Sequence, residues 1–124
     1  MSKQITLPHE HDSGSMHIVE HCPPREDFKT VAALMKQFGD PSRLKIFWIL
    51  CHVEECVTDI AAMTEMTSPA VSHHLRMLKD SGLIVSRREG KEMYYRAADT
   101  GLAQKLHHAI EEIMEISCPK GGFQ

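Results

Sequence analysis

The sequence predicts a mainly α-helical chain with one small β-hairpin, arranged as a winged helix-turn-helix. Three observations carry this. Two short amphipathic segments, around "CVTDIAAMTE" and "TSPAVSHHLRMLKDSG", follow one another across a tight connection. The stretch "LIVSRREGKEMYYRAA" then changes period, with β-branched and aromatic residues flanking a charged turn at Gly90. The whole chain, at 124 residues, is the size of one compact domain with an ordinary soluble composition.

Residues 1–24 have no sustained period, contain Pro8, Pro23 and Pro24, and mix His, Asp, Ser and Gly, which predicts a mobile His-rich arm. The folded domain is expected over 25–118, with 119–124 as a short tail. In "EDFKTVAALMKQFGD" the apolar residues Phe28, Val31, Leu34, Met35 and Phe38 recur at three and four, predicting a first helix that Gly39 ends. Asp40 can cap a second helix with Pro41 in its first turn; Leu44, Phe47, Trp48 and Cys51 fall on one face. A third helix from Cys56 or Val57 to Glu65 buries Val57, Ile60, Ala61 and Met63. The fourth starts at a Thr67 or Ser68 cap with Pro69 at its first position, stops at Gly82, and turns Val71, Leu75 and Leu78 inward. Finally, "TGLAQKLHHAIEEIMEIS" places Leu102, Leu106, Ala109, Ile110, Ile113 and Ile116 on one stripe. So continuous a stripe on a terminal helix needs a partner, and a second copy of the chain is the simplest supplier.

Charge distribution locates the reading surface better than the net charge of −3. Residues 1–27 carry a net −3, whereas residues 67–97 carry +3. A helix fits the major groove while Arg and Lys of a hairpin wing neutralise phosphates. Ser68, Ser72, His73, Arg76 and Lys79 lie off the inward stripe and can face DNA, as can His74, with Arg87, Arg88 and Lys91 on the wing. The predicted partner is double-stranded operator DNA. No apolar run approaches the ~20 residues of a membrane span, and "MSKQITLPHEHDSG" lacks a signal peptide's apolar core. A cytoplasmic protein without membrane partners is expected. Four cysteines without a C-x-x-C pair indicate neither a zinc ribbon nor a disulfide framework.

The segments "DPSRLKIFWIL", "ECVTDIA", "SPAVSHHLRMLKDSGLI" and "RREGKEMYYRA" resemble, in order and spacing, the signatures of the ArsR/SmtB family of metal-responsive repressors. The likeness covers about residues 28–117. It implies a homodimeric winged helix whose first and last helices form the interface, with operator binding relieved by metal.

The resemblance also implies a metal site at the start of the helix preceding the reading helix, in a pattern like E-L-C-x-C-D or E-L-C-x-G-D. Here the segment reads Glu54-Glu55-Cys56-Val57-Thr58-Asp59, so Cys56 and Asp59 match the thiolate and carboxylate positions and Thr58 replaces a second thiolate. A mixed donor set fits Zn²⁺ best, with Cd²⁺ and Pb²⁺ as alternatives. Two ligands are too few. In the family such arms complete the site, and His21, Cys22 and His17 have ligand-like spacing, while His9, His11 and Asp12 suit metal capture or buffering. A second family site on the last helix maps to Asp99, Gly101, Glu112 and Glu115, of which Gly101 cannot ligate. His108, Glu112 and Glu115 nevertheless share a face, as do His107, Glu111 and Cys118; the bland reading of both trios is a solvated polar face.

Two other readings stay open at this stage. One is a winged-helix repressor responding to redox state, through Cys22 and Cys56, or to a non-metal ligand. The other is a metal-buffering protein without regulatory DNA binding. An enzyme is not expected, since the chain has no nucleophile–base motif and no phosphate-binding glycine loop.

Overall fold

The computed structural model describes residues 5–9 and 13–116. His11, Asp12, Cys118 and the expected tail lie outside these. The chain divides into two compact units, Met1–Ala33 and Leu34–Gln124. The first is not irregular throughout: α1 (Ser13–Glu20) forms where Met16 and Val19, three apart, are the partly covered residues, and α2 (Arg25–Gln37) begins there. In α2, acidic Glu26 and Asp27 occupy the first turn and Lys36 the last, as the helix dipole favours.

The second unit holds the core. Asp40 caps α3 (Pro41–Leu50), its carboxylate accepting from the Ser42 and Arg43 backbone N–H groups at 2.9 and 3.1 Å. These bonds to the ionised form hold the Asp40 carboxyl below its usual range, the Arg43 amide being the largest cause. Burial extends beyond the predicted stripe: Ile46, Phe47, Ile49 and Leu50 are all enclosed, because α3 is packed on several sides. Next come α4 (Val57–Thr64) and α5 (Ser68–Asp80). Glu65 ends α4 in the left-handed region at φ 55, and the Met66 N–H closes back on Ala61 O at 3.0 Å, the bond pattern that terminates a helix tightly. Met63, expected inside, is 46% exposed, since the buried face of α4 is filled by Ile60 and Ala61.

The hairpin pairs β2 (Ile84–Glu89) with β3 (Glu92–Ala97), from Ile84↔Ala97 to Glu89↔Glu92. Its two-residue loop places Gly90 at φ 62, a conformation without steric cost only for glycine. A third strand was not expected. Glu55 and Cys56 form β1 and pair antiparallel with Tyr95 and Tyr94, giving the sheet order β1-β3-β2. Two residues are too few to leave a period-2 signal. Thr100 caps α6 (Gly101–Met114), accepting from the Ala103 N–H at 3.1 Å.

Ile46, Phe47, Leu50, Ile60, Val71, Leu75, Leu78, Leu83 and Ile84 form the fully enclosed centre, drawn from α3, α4, α5 and the start of the wing. In α6 only Ala103, Ile110 and Glu111 are buried. Ile113 is 82% exposed, and Leu102, Met114 and Ile116 are also exposed, as are Phe28, Val31 and Met35. The apolar stripes of the first and last predicted helices are thus only partly covered: Leu34, Phe38, Leu106 and Ile110 pack on the core and the other large apolar residues are exposed. Among the described residues no helix is long and apolar enough to cross a membrane.

Candidate nucleic-acid interface and metal centre

Thr67 and Pro69 set the start of α5: the Thr67 hydroxyl accepts from the Ala70 N–H at 3.3 Å, and Pro69 lacks the N–H that a first turn leaves unpaired. With Val71, Leu75 and Leu78 buried, Ser68, His73, Arg76 and Lys79 are exposed and Ser72 is partly so. Lys79 Nζ reaches across to Ser86 Oγ at 2.7 Å, tying the end of the helix to the wing. His74 is a correction. It is 8% exposed and accepts at Nδ1 from Arg43 Nε at 3.2 Å, so it faces α3 instead of DNA. Position 74 lies at the edge of the buried stripe of 71, 75 and 78, and the bond from Arg43 turns it inward. Burial lowers its pKa, and Arg43 nearby adds to the effect against an opposing pull from Asp40. Arg43 also donates to Gln37 Oε1 at 3.0 Å, and Gln37 donates to Ser81 Oγ at 2.8 Å, so this polar cluster holds the middle of α5 and its C-terminal cap.

On the wing the three basic residues differ. Arg87 is held by Glu54, with Nε at 2.9 and 3.0 Å from the two carboxylate oxygens and Nη2 at 2.6 Å, and by Glu89 at 2.9 Å. Its guanidinium also lies 5.1 Å from the Tyr94 ring centroid. The pairing raises the Arg87 pKa and lowers that of Glu54, hydrogen bonding being the first cause in both. Arg88 and Lys91 are exposed and enter no ion pair among the described residues. Sequence reasoning ranked all three alike because Glu54 lies 33 positions from Arg87.

Cys56 sits at the junction of β1 and α4, buried at 6% exposure, as the N-cap without a side-chain cap bond. Asp59 lies in the first turn of α4, exposed. Burial, and then the adjacent Asp59 charge and hydrogen bond, raise the Glu55 pKa. Tyr94, opposite Cys56 in the sheet, is raised by burial first and by Cys56 next. Among the described residues, the donor atoms of Cys56, Glu55 and Asp59 do not form a converged group of three. In the first unit, His17, His21 and Cys22 are exposed; the His17 and His21 rings lie 4.2 Å apart, and His21 Nδ1 donates to the His17 carbonyl at 2.9 Å.

The last-helix residues do not converge within one chain. Asp99 precedes α6 and accepts from Gln104 at 3.1 Å, His108 is exposed midway, and Glu112 and Glu115 lie at the far end, where Glu115 takes φ 57. Among the described residues a different group of three comes together: His52, His107 and Glu111. His52 and Glu111 are buried, and the His107 side chain is 13% exposed. The trio of the other face is therefore not a solvated one at positions 107 and 111. Sequence spacing could pair His107 with Glu111; nothing in it could supply His52.

An exposed helix with polar and basic side chains, braced by the helix before it and flanked by a basic hairpin, defines a winged-helix DNA-binding protein. Residues 40–86 match the model of the family described as bacterial regulatory protein, arsR family. The chain is 36% identical over 88 residues to the cadmium resistance transcriptional regulatory protein CadC homolog of Staphylococcus aureus, covering 70% of this chain and 73% of that one. It is 41% identical over 80 residues to the HTH-type transcriptional regulator NmtR of Mycobacterium tuberculosis, covering 64% and 67%. The solution structure of the homodimeric winged helix-turn-helix DNA-binding domain Mb0332 from Mycobacterium bovis matches with a TM-score of 0.63 at 25% identity, over 89% of this chain and 91% of that one. The protein belongs to the arsR family of bacterial regulatory proteins and is a DNA-binding transcriptional regulator, not an enzyme.

Proposed function

We propose that this protein is a metal-responsive repressor that binds a two-fold symmetric operator as a homodimer and is released when a thiophilic divalent ion binds. The observation carrying this reading is the position of Cys56. It begins the helix that braces α5 and belongs to the strand that pairs with the wing, so a ligand held there pulls on both DNA-contacting elements. Similarity to a cadmium resistance regulator supports a metal as the effector. The ligands are Cys56 and Asp59 with His21 and Cys22 from the N-terminal segment, His17 substituting. Zn²⁺ fits these mixed donors best, while Cd²⁺ and Pb²⁺ are the related thiophilic candidates.

DNA contact falls to Ser68, Ser72, His73, Arg76 and Lys79 on the reading helix and to Arg88 and Lys91 on the wing, with Arg87 recruited only by exchanging Glu54 for phosphate. The exposed apolar residues of α2 and α6 supply the dimer contact. A coupling of ~1–3 kcal/mol between metal and DNA is ordinary for such a switch. Fluorescence anisotropy on DNA from the protein's own promoter tests this, with Zn²⁺, Cd²⁺ and Pb²⁺ titrated into wild type and Cys56→Ser. Loss of DNA affinity in wild type alone is expected. Equal release of Cys56→Ser at the same metal concentration would sink the assignment of Cys56.

A further inference from the structure

Three donor atoms meet where the end of α3 packs on α6. His52 Nε2 lies 3.0 Å from Glu111 Oε2, His107 Nε2 lies 3.1 Å from the same oxygen, and the two imidazole nitrogens are 3.1 Å apart. While Glu111 is ionised and both imidazoles are neutral, hydrogens cannot satisfy all three edges of this triangle. Each ring nitrogen carries at most one hydrogen in the neutral form, and that hydrogen points along one edge. If both histidines donate to the carboxylate, two N–H groups face each other. If one histidine donates to the other, a lone pair of nitrogen faces a lone pair of oxygen. With Glu111 ionised and both imidazoles neutral, one edge is repulsive in every arrangement.

A single cation removes the conflict, because all three atoms then offer lone pairs to one point. At Zn–N and Zn–O distances of about 2.0–2.1 Å, an ion would sit about 1 Å above the plane of the triangle, a pyramid of three ligands that leaves the opposite side open. Trp48 supplies an outer contact of the kind such a site uses. Trp48 Nε1 donates to Glu111 Oε2 at 3.0 Å, orienting the carboxylate. The Trp48 and His52 rings lie 4.7 Å apart, which fixes the His52 plane. Ligation through Nε2 would place the His52 hydrogen on Nδ1, which is buried without a partner among the described residues. Of the three ligands, His107 also lines a cleft of about 660 Å³, together with Cys51, Gln104 and His108.

We propose that His52, His107 and Glu111 form a divalent metal site of two imidazoles and one carboxylate, suited to Zn²⁺, Co²⁺ or Ni²⁺. It is distinct from the Cys56 ligands and stands whether or not those bind metal. Its ligands come from one chain, and it staples the segment leading into β1 to the last helix.

Trp48 is the only tryptophan in the chain and touches two of the three ligands, so it reports occupancy directly. The test titrates Co²⁺ and Zn²⁺ into the chelator-stripped full-length protein, following Trp48 fluorescence and Co²⁺ visible absorption. The variants are Cys56→Ser, His107→Gln and Glu111→Gln, with circular dichroism as the folding control. Wild type and Cys56→Ser should both show Trp48 quenching that saturates at one equivalent per chain, with Co²⁺ bands of a nitrogen–oxygen site. His107→Gln, at a partly exposed position, should keep the fold and lose at least about tenfold in affinity for this transition. No metal-dependent change at Trp48 in wild type overturns the proposal. So does a change abolished in Cys56→Ser but retained in His107→Gln.

Discussion

The three wing cations are expected to differ in how much each contributes to DNA affinity. Arg87 is engaged by two carboxylates at 2.6–3.0 Å, whereas Arg88 and Lys91 have no ion-pair partner among the described residues. Each phosphate neutralised adds about 0.9 to the magnitude of the slope of log K against log salt. Arg88→Ala in a two-fold dimer removes two contacts, so the slope should fall by about 1.8. Between 50 and 200 mM salt that amounts to about a tenfold difference in how much affinity is lost. Arg87→Ala should change the slope by less than half as much, because Arg87 must first leave Glu54 and Glu89. Glu54→Gln removes one of the two carboxylates that hold Arg87 and should tighten binding and steepen the slope. Anisotropy titrations on operator DNA at four or more salt concentrations measure all three. Equal slopes for Arg87→Ala and Arg88→Ala, or an unchanged slope in Glu54→Gln, would refute the reasoning that the ion pair withholds this cation.

Other perturbations test the fold. Phe47 is fully enclosed, so Phe47→Ala should cost about 3–5 kcal/mol through lost burial and the cavity left behind, read by chemical denaturation. His74 has a lowered pKa in the folded chain, because burial disfavours its charged form and a proton on Nδ1 would break the bond from Arg43. The unfolded chain therefore takes up the proton first, and stability falls as pH drops below the ordinary imidazole value of 6.5. In His74→Gln this part of the pH profile should be missing. A melting temperature that declines equally in both proteins just below that pH would remove His74 from the account. Asp40 and Glu54, also lowered, lose their contribution only as pH falls below the ordinary carboxylate range, so the two effects separate. Ile113→Glu places a charge on the most exposed apolar position of α6, and light scattering at micromolar concentration should report a 14.0 kDa monomer. A variant that remains dimeric would put the interface elsewhere.

Local physics made much of this molecule legible before any packing was known. Asp40 with Pro41 and Thr67 with Pro69 are capping chemistry written into adjacent positions, and α3 and α5 start where those pairs place them. The buried stripe of Val71, Leu75 and Leu78 follows from a period of 3.6, and the hairpin from β-branched and aromatic residues around Gly90. Cys56 and Asp59 stand out as ligand types because both lie within one short segment.

Contacts between distant positions decided the rest. His74 looked available to DNA because its own helix leaves its direction open at the edge of the apolar stripe; Arg43, 31 positions away, supplies the bond that holds it inward. Arg87 was indistinguishable from Arg88 until Glu54 came beside it across the sheet. β1 exists only because Tyr94 and Tyr95 offer a strand for Glu55 and Cys56 to join. His52 carries no sequence signal of its own, and it meets His107 and Glu111 only after α3 packs on α6, more than fifty positions apart. Sequence periodicity thus determined which faces turn inward and where helices begin, because those depend on neighbours within a turn or two. Only the tertiary structure determined which polar groups share a point in space, because their pairing depends on how the elements pack.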